Sequence, residues 1–399
     1  MVYMLKTMIM RLHYIDNIRW ITILLVMLFH VFYYYNACCA GSGIGGFSDC
    51  QPQDAVVYML YPWLMPLLFV VAGMSARYAL GKYDYRTFFH SRTRKLLVPA
   101  TIGLFVFQWL SGYAGMLTMN YHYHADLGAG QPWWVMYIMF ALTGGGGLWF
   151  IQLLWLFSLL TIPLHRAERK LHITYPQEQP ESTLRPALRD VLIALLMVFF
   201  GVMLYLGDQT VMDGNGTMQD PAAMVNVYRP LYYVVAYLFG YYIFVRNDVQ
   251  EWLSRYCLLT IPAALACGIW LTVTTFGQDA YSPAYLRSVG NNLYAWLAIL
   301  AMFGGFKRWL DRPVVWQIPI RTVTEKTTKT ISPAKHSYGL YILQFVVYMS
   351  AGYVLRVHTM LPPWAMYVLL FAAMFTLTPA LYMIIRRIPV LRWCVLGEK

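Results

Sequence analysis

The sequence predicts an all-α polytopic membrane protein of about ten transmembrane helices with both termini on the cytoplasmic side. Three observations carry that prediction. Of 399 residues, 59% are hydrophobic and only 12% charged, a balance too apolar for a soluble globular chain. Apolar stretches recur at the length needed to cross a hydrocarbon core about 30 Å thick. The basic residues fall almost wholly on one side of those stretches.

The spans are read at about 18–35, 55–80, 96–118, 133–164, 190–207, 231–245, 257–276, 291–309, 337–356 and 363–385. The fourth is too long for one straight helix and contains Gly144 to Gly147, so it reads as a half-inserted segment, a glycine break and a span from Leu148 to Leu164. With ten spans, only Arg229, Arg287 and Arg356 of the 30 Lys and Arg lie on one side. The other 27 share the opposite side, which the positive-inside rule makes cytoplasmic, and with it both termini. The net charge of +12 is therefore mostly topology and not a nucleic-acid footprint, with the cytoplasmic clusters still available to an anionic ligand. The first span is expected to be retained, because its apolar core outruns a signal peptide. No repeat or appended soluble domain is visible, so residues 1–399 read as one membrane-embedded domain; 165–189 and 310–336 read as cytoplasmic linkers.

Of six cysteines, Cys38, Cys39 and Cys50 fall in the first outer loop, where an oxidising compartment permits a disulfide from Cys50 to one of the other two. Cys257, Cys267 and Cys394 read as small apolar fillers. No His/Cys spacing indicates a metal. "GSGIGG", Gly41 to Gly46, has dinucleotide-loop spacing but neither a strand before it nor an amphipathic helix after it. Asn215-Gly216-Thr217 fits a glycosylation sequon too short to decide anything, and His122 and His124 read as exposed loop residues.

"DNIRWITILLVMLFHVFYYY", Asp16 to Tyr35, keeps Arg19 and His30 in an otherwise apolar run. Eleven residues at 100° each bring both onto one helix face, about 16 Å apart in rise. A histidine at mid-depth must face the protein interior or a wet cavity. Tyr14 to His30 is similar to the opening signature of the acyltransferase-3 family of multi-pass membrane proteins, an Arg, ten residues, then a His. "PLLFVVAGMSA" (Pro66 to Ala76), "RTRKLLVPA" (Arg92 to Ala100), "LWFIQLL" (Leu148 to Leu154) and "SYGLYILQ" (Ser337 to Gln344) resemble further elements of that family in the same order. The resemblance runs from residue 14 to about 385. Two departures stand out: Gly147 and Gln344 occupy places where the family often has His.

The resemblance implies transfer of an acyl group, usually acetyl, from cytoplasmic acyl-CoA to a hydroxyl of a cell-envelope carbohydrate or glycolipid. Acyl-CoA is then a donor co-substrate, with no resident cofactor, metal or nucleic-acid partner expected. A sugar hydroxyl needs a base near neutrality, which gives His30 the catalytic role. Arg19 would aim the donor, and Arg92, Arg94 and Lys95 would pair with its phosphates. Trp149, Tyr341 and Gln344 are candidate substrate contacts. Direct transfer is preferred to an acyl-enzyme. No Asp or Glu lies in the interior of a predicted span, Asp190 standing only at the cytoplasmic edge of the fifth, so His30 would be oriented by a neutral group, by backbone, or by an outer-loop acid such as Asp126. The alternative from another class is a transporter or flippase, for which inverted repeats and acidic coupling groups would be expected, and neither is visible.

Overall fold

The first apolar run folds into α1, His13–Tyr34, and every later apolar stretch follows suit. The computed structural model describes residues 12–38, 45–172, 185–213, 228–321 and 326–398, with 316–321 and 326–331 as backbone alone. The sequon at 215–217, Cys39 and most of the 41–46 glycine motif lie outside the described residues. In chain order the helices are α1, α2 (Ala55–Lys82), α3 (Tyr85–Tyr123), α4 (Trp133–Gly144), α5 (Trp149–Lys170), α6 (Pro186–Asp208), α7 (Pro230–Phe244), α8 (Asn247–Thr275), α9 (Val289–Trp309), α10 (Pro333–His358), α11 (Pro363–Arg387) and α12 (Pro389–Leu396). Among the described residues, nine are long and apolar enough to cross a membrane, with α7 a shorter apolar helix. They stand at the ten places that hydropathy marks. The chain is a multi-pass membrane protein.

The glycine break expected in the fourth stretch is present. α4 ends at Gly144, a single tight turn covers Gly145–Gly147, and α5 starts at Trp149. The linker before α10 holds a feature that hydropathy does not mark: β1, Trp316–Arg321, pairs antiparallel with β2, Lys326–Ile331. The rest of the described architecture is helical, as expected.

Burial sorts the helices. α2 and α9 are buried over most of their length, whereas α6, α8 and α11 turn Leu195, Leu259, Val273 and Val368 outward. In a bilayer those exposed aliphatics meet lipid tails at no cost. The short α7 reaches the interior because it approaches α2 backbone to backbone. A Cβ on Gly73 would lie 2.0 Å from the Tyr237 carbonyl oxygen, and one on Gly240 equally close to that of Val70. Only glycine permits this crossing.

Two buried acids near helix ends are each paired with an arginine. Asp208, fully buried at the end of α6, accepts from the Arg229 guanidinium at 2.9 and 3.1 Å, and Tyr233 accepts from it at 3.0 Å. Arg77 and Glu168 form a second buried pair. Glu168 and Asp208 escape the hydropathy reading because α5 and α6 run past the apolar stretches that mark them.

α3 is the irregular helix, and its irregularity positions the site. Five-residue π-helical turns occupy Thr93–Leu97 and Leu104–Gln108. Pro99 has no N–H to give the carbonyl four residues before it, that of Lys95. The Tyr338 hydroxyl of α10 donates to that carbonyl instead. The turn that carries Arg94 and Lys95 is thereby tied to α10.

Candidate active site

His30 sits on α1 with its Nδ1 2.7 Å from the carbonyl oxygen of Val26, one turn back. A carbonyl only accepts, so Nδ1 carries the proton and, in the neutral ring, Nε2 keeps its lone pair. Nε2 has no hydrogen-bond partner among the described residues. The orienting group is therefore backbone, one of the three options the sequence leaves open, and Asp126 is exposed in its loop. Rings hold the imidazole from the side: Phe345 at 4.8 Å and Tyr348 at 5.3 Å, both on α10. This tautomer is a base with an available nitrogen.

Arg19, three turns earlier on α1, donates to Asp16 at 3.0 Å and to the Ser75 hydroxyl of α2 at 2.8 Å. Ser75 in turn donates to the Val71 carbonyl, which leaves its lone pairs toward the arginine. Arg19 remains 33% exposed. Arg92 and Lys95 of α3 both lie within its electrostatic field, and Lys95 also feels Arg92 and Arg94. The fold thus gathers Arg19, Arg92, Arg94 and Lys95 from two distant stretches, with Glu398 as the acid beside Lys95. Gathering like charges at one end of a membrane protein is costly unless an anion joins them.

A cavity of about 510 Å³ opens at the same end, lined among others by His13, Asp16, Asn17, Lys335, His336 and Arg386. Its lining includes Asp16, the carboxylate that holds Arg19, but neither Arg19 nor His30.

The remaining candidates lie along α10 and its contact with the glycine turn. Tyr341 is buried and donates its hydroxyl to the Gly147 carbonyl at 2.8 Å. The Phe345 ring fills the space beside Gly147, where a Cβ would lie 2.0 Å from the ring tip. Gln344 is fully buried, and neither its amide nitrogen nor its amide oxygen has a partner. Trp149 is half-buried among rings that reach Tyr341 through Phe150, with Tyr233 at 5.2 Å and the exposed Tyr228 at 6.3 Å.

An acyltransferase family model, described as "Acyltransferase domain", matches residues 12–383. The chain belongs to the acyltransferase-3 family. No curated protein and no solved structure gives a significant match. The family match spans α1 through most of α11, so it takes in nearly the whole chain of this acyltransferase.

The structure of the acyltransferase also supplies partners that the sequence reading does not single out. Ser75 stands inside the quoted "AGMSA" stretch, where one hydroxyl in an apolar span was the available signal. Phe345 and Tyr348 give no such signal, since at 17% aromatic content a ring is unremarkable. Beyond His30, away from Arg19, the rings of Tyr33, Tyr281 and Tyr61 follow at 6.1, 5.7 and 4.3 Å steps, ending near Arg229, 5.6 Å over Tyr61. The departure at Gly147 also gains a physical reason, because the Phe345 ring takes the room a histidine there would need.

Proposed function

We propose that this acyltransferase moves an acyl group, in the first instance acetyl, from acyl-CoA on the cytoplasmic side to a hydroxyl of a cell-envelope carbohydrate or glycolipid. One observation carries the reading. On a single helix, His30 presents an unpartnered Nε2 while Arg19, three turns away, joins a cationic group that no acid among its neighbours fully balances.

The chemistry follows from those positions. Arg19, Arg92, Arg94 and Lys95 bind the phosphates of the donor, whose thin pantetheine arm covers the roughly 16 Å of rise to His30. The acceptor approaches from the opposite end, past Tyr33, Tyr61 and Tyr281, whose ring faces suit a sugar. Trp149 and Tyr228 extend that ring surface. Nε2 of His30 removes the hydroxyl proton as the oxygen attacks the thioester carbon, the carbon–sulfur bond breaks, and the departing thiolate takes that proton, with no acyl-enzyme between.

The topology is consistent with this direction. Cys38 and Cys50 are bonded at the end opposite Arg19, which suits an oxidising outer compartment and leaves the Arg19 end, with both termini, in the cytoplasm of the cell membrane. The buried acids weigh against a transporter reading, since Asp208 and Glu168 are each neutralised by an arginine.

The test uses membranes holding wild type, His30→Ala or Arg19→Ala, supplied with labelled acetyl-CoA and envelope extract. Label transfer by wild type and its loss in both variants at equal expression is the expected result. Full transfer by His30→Ala removes the base, and translocation of a glycan precursor without acylation establishes the transporter instead.

A further inference from the structure

Two buried glutamines, one on α3 and one on α10, are treated in opposite ways. Gln108 donates its amide to the Ile342 carbonyl at 2.8 Å and accepts from Ser111 at 3.2 Å, so both ends of its side chain are used. Gln344, two residues along α10 from Ile342, is completely buried with both ends unused. A buried amide without partners is a standing penalty that leucine, of nearly the same size, would not carry. Packing alone therefore does not account for a glutamine here.

Its position does. Residue 344 directly precedes Phe345 and lies one helical turn before Tyr348, the two rings that flank the His30 imidazole. α1 and α10 run in register, since the Tyr35 hydroxyl donates to the Gly352 carbonyl near the far ends of both. Gln344 consequently sits within about a turn of the His30 level, displaced toward the Arg19 end. A donor arriving from that end would pass the level of residue 344 before that of the imidazole.

We infer that the Gln344 amide N–H is the hydrogen-bond donor to the thioester oxygen as it becomes an oxyanion, an inference that rests on the transfer proposed above. The hydroxyl proton passes to Nε2 of His30, the hydroxyl oxygen bonds to the thioester carbon, and the carbonyl electron pair moves onto its oxygen, where Gln344 donates. Collapse restores the carbonyl and breaks the carbon–sulfur bond. The departing thiolate takes the proton back from His30. A donor left unpaired at rest costs no reorganisation when charge develops, which is the property such a site requires.

The test compares purified wild type with Gln344→Leu, Gln344→His and His30→Ala, reading kcat, KM for acetyl-CoA and the melting temperature. The expected Gln344→Leu result is a kcat lowered about 10²- to 10³-fold, the cost of losing one oxyanion donor. KM should change little, and the melting temperature should be equal or higher. Gln344→His, which keeps an N–H at this place, should recover much of kcat. Wild-type kcat in Gln344→Leu, a change confined to KM, or failure of the histidine variant to recover any kcat overturns the proposal. A Gln344→Leu protein that melts earlier assigns the residue to packing and overturns it too. His30→Ala separates the two levels: if it is inactive while Gln344→Leu is normal, only the oxyanion assignment fails, and if it is fully active the transfer reading fails with it.

Discussion

The hydroxyl of Tyr338 donates to the carbonyl of Lys95, which Pro99 leaves without its helical partner. One contact thus joins the Ser-Tyr element of α10 to the basic element of α3 and fixes the turn bearing Arg94 and Lys95. Tyr338→Phe removes that donor at an exposed carbonyl and should destabilise the protein by about 0.5–1.5 kcal/mol. Pro99→Ala, which returns an N–H to the helix, should offset much of this in the double variant. Thermal melting of the four proteins in detergent gives the coupling, and additive losses would show that the hydroxyl is not compensating for proline.

Gly147 and Phe345 form a second interlocked pair. A methyl at 147 would overlap the ring, which must then shift, and that ring flanks His30 at 4.8 Å. Gly147→Ala is expected to cost about 1–3 kcal/mol and to lower transfer activity. Adding Phe345→Leu should restore stability; unchanged melting in the single variant would refute the close fit.

The buried Asp208–Arg229 pair should behave unlike the surface pair of Asp190 with Arg255. Removing Asp208 leaves a guanidinium among the Tyr61, Tyr232 and Tyr233 rings, an expected loss of about 3–5 kcal/mol. Removing half-exposed Arg255 should cost under about 1 kcal/mol. Equal losses in the two variants would contradict the burial difference.

Of the two partners open to Cys50, the fold selects Cys38. Peptide mapping without reductant should recover the Cys38–Cys50 cross-link, with Cys39 alkylated. Cys50→Ser should lower stability by about 2–4 kcal/mol. The loop it closes leads to Asp54, which is fully buried and accepts from the Tyr367 hydroxyl at 2.7 Å. A Cys39–Cys50 cross-link would contradict the fold at this loop.

Hydropathy marked the ten apolar helices, the run of glycines marked the break, and helical periodicity put Arg19 and His30 on one face, because each depends on residues close in the sequence. The family was legible for the same reason, through short motifs in a fixed order. Only the tertiary structure decided what surrounds them. The Val26 carbonyl that sets the His30 tautomer is local, yet no residue type signals it, since every residue has a carbonyl. Ser75 against Arg19, Phe345 in the room left by Gly147, and Tyr338 capping the carbonyl freed by Pro99 all join segments dozens to hundreds of residues apart. Apolar composition says only that such segments enter the bilayer, and the side-chain fit between helices decides which of them meet.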